Sequence, residues 1–202
     1  MDLKGNFMNY QVVPFWFYSG KALLAVLAAI GLGVCGVSAA FFYCLLLALV
    51  WPVAVSMRLH QLAEKGVAMN PRRASQWMVY VQGIPVQETR QVLTNPCFAL
   101  ENRMRTFFLC AFTAKTLLQM ALLLLLIAQL AATVNLWIAL AGVLFGAWLV
   151  YTTVDSIQAL RSLARRQWVS EQWVSDSGSI WHRAALIGRK GPAAALERLL
   201  AW

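Results

Sequence analysis

Charge is what this chain has least of. Charged side chains make up 12 % of its 202 residues, against roughly 25 % in a typical soluble domain, while 60 % are hydrophobic. Water is therefore not its main solvent. Histidine is scarce, with only His60 and His182, and neither has Cys, Asp or Glu near it in sequence at metal-ligand spacing. The cysteines, Cys35, Cys44, Cys97 and Cys110, include no C-x-x-C pair and read as small apolar packing residues. G-x-S-x-G, H-E-x-x-H, Walker and dinucleotide-binding patterns are absent, and Gly188-Arg189-Lys190-Gly191 lacks the length and the closing Lys-Ser/Thr of a phosphate loop. The expectation is a non-catalytic protein with no cofactor and no metal.

Long apolar runs are what the chain does have. Thr116 to Val154 contains no Asp, Glu, Lys, Arg or His, and this run is close to twice the roughly 20 residues that cross a bilayer once. It is expected to cross, turn near Thr133 to Asn135 and return. Ala22 to Met57 is a second charge-free run, interrupted by Gly31, Gly33, Gly36 and Ser38, and it predicts helices near 15–34 and 38–58. Phe15, Trp16, Phe17 and Tyr18 stand just before Lys21, as at a headgroup boundary, and the first run is too long for a cleavable signal sequence. Pro52 should kink the second helix near its inner end.

The expected fold class is an all-α integral membrane protein with four transmembrane helices as two hairpins and with cytoplasmic amphipathic helices. Its parts are an N-terminal hairpin (1–58), a basic helical segment (59–106), a C-terminal hairpin (107–154) and an amphipathic helical tail (155–202). In the second part, Asn70-Pro71 and Asn95-Pro96 each resemble a helix start. In the tail, Ile157, Leu160, Ala164 and Trp168 share one helical face, and Ile180 to Ile187 and Pro192 to Trp202 read as short helices. The last of these is too short to be stable alone.

The basic residues fall outside both expected outer turns. Arg58, Lys65, Arg72, Arg73, Arg90, Arg103 and Arg105 lie in the middle segment, and Arg161, Arg165, Arg166, Arg183, Arg189, Lys190 and Arg198 in the tail. With four crossings, the positive-inside bias puts both segments and both termini in the cytoplasm of a bacterium, the chain being multi-pass in the inner membrane.

A few residues stand out as sites. Lys115 and Asp155 lie at similar distances from the expected turn and predict an intramembrane ion pair. Gly142 and Gly146 form a GxxxG motif that allows close helix packing, within the chain or between copies. Arg161, Arg165 and Arg166, with Trp168, Trp173 and Trp181, suit anionic lipid headgroups or a partner protein. Nucleic acid is the weaker fit for the same residues. The functional expectation is a scaffold, assembly or regulatory subunit of a multi-protein membrane complex, such as a secretion or conjugative transfer apparatus, joined to other membrane proteins or to itself. The alternative is a small oligomeric transporter or channel, with Lys115, Gln119 and Gln129 as its polar lining.

Overall fold

The structure, a computed structural model, describes residues 11–12, 20–69, 74–81, 84–92, 95–174, 178–188 and 191–201. The Phe15 to Tyr18 cluster and Asn70-Pro71 lie outside them. The first helix, α1, is Gly20–Val34. It stops at Gly36, whose φ of +98° is open to glycine at little steric cost. Val37 N–H then donates to Leu32 O and Gly36 N–H to Gly33 O, which closes the helix end.

A continuous helical rod, Ser38–Glu64, follows. It comprises α2 (Ser38–Tyr43), a π-helical turn (Cys44–Val50) and α3 (Trp51–Glu64). Pro52 has no N–H and its ring crowds the carbonyl four residues back, so the normal ladder cannot run through it. The wide turn just above answers this: Trp51 N–H reaches Leu46 O, five residues back.

Next come α4 (Glu101–Ala132) and α5 (Leu136–Ala164), joined by three residues. The buried positions of α4 are Met104, Phe108, Phe112, Lys115, Gln119, Leu122 and Leu126. Their steps of three and four residues make one straight stripe. Gln119 meets Thr152, and Arg105 Nε meets Leu163 O, so the two helices run antiparallel.

Among the described residues, three helices are long and apolar enough to cross a membrane: Ser38–Glu64, Glu101–Ala132 and Leu136–Ala164. In α1 the described apolar stretch is the shorter Leu24–Val34. At 1.5 Å per residue α4 is about 48 Å long against a hydrocarbon core of about 30 Å, so it extends well beyond the core.

The all-α expectation is corrected by the two polar segments, which form strands. β1 (Gln11–Val12) runs parallel to β4 (Ile84–Val92), and β3 (Ala74–Val81) pairs antiparallel with β4 from Ala74↔Gln91 to Val81↔Ile84. A five-stranded sheet has the order β2-β5-β7-β6, with β8 also on β7. Its strands are β2 (Ala68–Met69), β5 (Cys97–Phe98), β6 (Val169–Val174), β7 (Ile180–Gly188) and β8 (Gly191–Ala194). Pairing of β5 with β7 brings the middle segment and the tail into one sheet.

The tail is helical only in part, in the extension of α5 past Asp155 and in α6. Helix α5 stops at Ala164, Ile180 to Ile187 lies in a strand, and the final helix shrinks to α6 (Ala195–Leu200). Asn95 caps no helix either; its amide Nδ2 donates to Ala184 O at 2.7 Å and fastens the approach of β5 to β7. The physical reason in each case is a long-range pairing that satisfies the backbone better than an isolated short helix would.

The main core lies where sheet and helices meet. Val55 and Leu59 of α3, Met104, Phe108 and Phe112 of α4, and Ala159 and Leu163 of α5 pack with Phe98, Ala184 and Leu186 of the sheet and Leu196, Leu199 and Leu200 of α6. Phe98, Phe107 and Phe108 stack within it, with ring centroids 5.2 to 6.2 Å apart. Farther along the bundle, Tyr43, Leu47, Leu122 and Leu149 form a second core.

Candidate functional site: the junction of bundle and sheet

Lys115 is the charged group buried deepest at this junction, with 4 % of its surface exposed. It lies on the buried stripe of α4, one turn above Phe112, and points at the end of α6. A helix leaves its last carbonyl groups without intrahelical partners, and a cation placed there satisfies them. Lys115 Nζ donates to Ala201 O at 2.6 Å, to Leu199 O at 3.0 Å and to Arg198 O at 3.4 Å.

Of the expected Lys115–Asp155 pair, the structure brings both residues to α6, where Asp155 pairs with Arg198 and Lys115 bonds backbone oxygens. Arg198 Nη2 donates to Asp155 Oδ1 at 2.5 Å. Lys115 holds α6 to α4 through backbone oxygens, and Asp155 holds the same helix to α5 through a side chain. The two residues face a common element from two sides. With six residues, α6 is too short to persist alone. Three buried leucines, one ammonium and one guanidinium keep it in place.

Other polar groups of the bundle are committed to structure in the same way. Gln129 Oε1 accepts from Ala39 N–H at 3.1 Å, and its Nε2 donates to Ser38 Oγ at 2.6 Å, so it caps the start of α2 from across the bundle. Thr153 and Ser156 turn their hydroxyls back to Leu149 O and Thr152 O of their own helix. Gln119 is satisfied less fully. Its Nε2 lies 3.5 Å from Thr152 Oγ1, and its Oε1 is buried with no hydrogen-bond partner, as are Tyr43 Oη and Trp51 Nε1.

Gly142 and Gly146 face α4. A methyl group added at Gly142 would come within 2.6 Å of Leu130 Cδ2, and one at Gly146 within 3.2 Å of Leu126 Cδ2. The small faces are used inside the chain. Arg161, Arg165 and Arg166 are exposed around the end of α5. Arg166 takes a φ of +57° there, and Gln167 N–H returns to Ser162 O. Arg105 covers the same helix end, donating to Leu163 O and Ala164 O.

The tryptophans separate. Trp168 packs on the main core, whereas Trp173 and Trp181 are register partners across β6 and β7. The side chain of Trp173 lies outside the described residues, and Trp181 is half-buried.

Arg198, Arg105 and the capping role of Gln129 are the functional residues that sequence reasoning misses. Their partners lie 43, 58 and 90 residues away, beyond any local pattern. A polar residue on the short amphipathic α6 was the available signal for Arg198.

Among the described residues, no three His, Cys, Asp or Glu side chains gather as metal ligands. Comparison of the chain with protein families, with curated proteins and with solved structures gives no match.

Proposed function

We propose that this chain is a non-catalytic scaffold, assembly or regulatory subunit of a multi-protein complex in the bacterial inner membrane. In this reading four helices cross as two hairpins, α1 with Ser38–Glu64 and α4 with α5. The sheets and both termini lie in the cytoplasm, where the basic residues also fall.

The single observation behind the reading is the use made of the deepest charged group. Lys115 holds a helix end, and Asp155 and Arg198 hold the same helix from the other side. Charges that serve to seat a module on a bundle are consistent with a platform for partners. Exposed Arg161, Arg165 and Arg166 would rest on anionic headgroups or on a partner, each contributing about 1 kcal/mol near an anionic surface. A secretion or conjugative transfer apparatus is the kind of machine in which such a subunit would work.

Mild-detergent purification of the tagged full chain tests this. The expected result is a set of defined co-purifying partners that is lost when residues 175–202 are removed.

One observation favours a second reading, a small oligomeric transporter or channel. Gln119 Oε1, Tyr43 Oη and Trp51 Nε1 are buried polar atoms without partners inside the bundle. In that reading Gln119→Leu would abolish flux through proteoliposomes. The scaffold reading expects no flux to lose.

A further inference from the structure

The five-stranded sheet has one long open edge. Among the described residues, β6 (Val169–Val174) pairs with β7 alone, through six unbroken register pairs, whereas the strand at the opposite edge, β2, is two residues long. An edge strand presents N–H and C=O groups without partners, and proteins protect such edges with proline, lysine, a bulge or a covering element. Strand β6 has no proline, no lysine and no bulge. Its Val169 and Val174 are 42 % and 62 % exposed, and Glu171 and Gln172 are exposed between them, so these side chains are uncovered. We propose that two copies of this chain join through β6, antiparallel, about a twofold axis at Gln172. The inference rests on the reading that the bundle lies in the bilayer.

Membrane geometry selects a second copy as the occupant. Phe98, Ala184 and Leu186 turn one face of the sheet to the ends of α3, α4 and α5. A twofold that continues an antiparallel sheet stands perpendicular to it, so both copies keep their helices on that same face. Copies inserted with one orientation are related by an axis along the membrane normal, and they hold β6 at one height, which raises its effective concentration toward its own kind. One axis meets both demands.

Charge sets the register. Residues facing each other across an antiparallel pair share a face, so with this axis one residue must face its own copy. Two registers pair five of the six residues of β6, one centred on Glu171 and the other on Gln172. The first sets carboxylate against carboxylate. The second sets Gln172 against Gln172, amide donor to amide acceptor, with Ser170 opposite Val174. With only two residues, β2 gives no comparable edge to extend from, so the assembly closes at two.

The test is co-isolation, in mild detergent, of two differently tagged full chains expressed together. The unmutated chains should co-isolate. Gln172→Lys in both copies, or Gln172→Glu in both, places like charges face to face and should lower co-isolation about fivefold. Gln172→Lys in one copy with Gln172→Glu in the other should restore it. Hydrogen exchange across β7 reports whether the sheet is intact in each variant. Gln172→Cys introduces no charge, so it tests the same contact if a charge loosens β7. In native membranes it should cross-link copy to copy under mild oxidation, above the unmutated chain and above Gln158→Cys on an exposed face of α5.

Separate unmutated chains, full co-isolation of two Gln172→Lys copies, no rescue by the mixed pair with β7 intact, or no cross-link through Gln172→Cys would overturn the proposal. Protection of β6 amides in a complex that holds a single copy would overturn it too, since a partner would then be the occupant. Carbonate extraction scores insertion separately. A chain that fails to insert defeats the membrane reading and this inference with it. An inserted single copy with co-purifying partners defeats this inference alone, and an inserted dimer without partners defeats the scaffold reading alone.

Discussion

At the scale of single residues, the two groups that hold α6 from α4 and α5 differ in burial, and their contributions should differ with it. Lys115→Met keeps the length of the side chain but leaves the carbonyl oxygens of Arg198, Leu199 and Ala201 without their buried donor. Hydrogen bonds to a charged group contribute about 1.5 to 3 kcal/mol, so a loss of about 2 to 3 kcal/mol is expected in equilibrium unfolding in mixed micelles. Asp155 has 46 % of its side chain exposed, and water screens its bond to Arg198. Asp155→Asn should therefore cost less than about 1 kcal/mol. An equal cost for the two variants would mean that the ion pair, and not the helix-end contact, dominates the junction. Arg166 holds a left-handed conformation at the end of α5 that a side chain disfavours. Arg166→Gly should raise stability by up to about 1 kcal/mol in the same measurement.

At the scale of elements, packing between α4 and α5 and the capping of α2 are separable. Gly142 lies against Leu130 so closely that even a methyl group would displace that side chain. Gly142→Leu should destabilise the helix pair by about 1 to 3 kcal/mol through overpacking, and Leu130→Ala in the same chain should recover part of the loss. No recovery would place the partner of Gly142 on another molecule. Gln129→Leu removes both bonds to the start of α2 and should cost about 1 to 2 kcal/mol. Hydrogen exchange should then rise at Ala39 and its neighbours before it rises in α5.

The long helices were legible because lipid-length apolar runs depend only on local composition. The charge-free stretch from Thr116 to Val154 and its break near Thr133 correspond to α4 and α5 with little shift. The strands were not. Val169 to Val174 and Ile180 to Gly188 are short, and Arg161, Arg165 and Trp168 just before them continue a helical spacing that tertiary pairing overrides. The register of β5 on β7 joins residues far apart in the chain, and no pattern within either segment encodes it.

At the scale of the whole molecule, long apolar helices and a sheet-covered core are distinct parts of one fold. The helices supply three stretches able to cross a membrane, and the sheet and α6 close a core over the ends of α3, α4 and α5. Lys115 was recognisable as unusual from its place in an apolar helix. Its partners were not, because they are backbone atoms of a helix that exists only when docked. The candidate site is thus half legible: the buried cation can be read from the sequence, whereas its acceptors follow from the folded chain.

Co-purification and particle mass of the full-length protein in mild detergent, with Lys115→Met compared directly against the unmutated chain, tests the proposed role most directly. The account predicts a defined hetero-complex for the unmutated chain and its dissociation in Lys115→Met, with membrane insertion unchanged. A homogeneous homo-oligomer without partners, of the same mass in both chains, would contradict it.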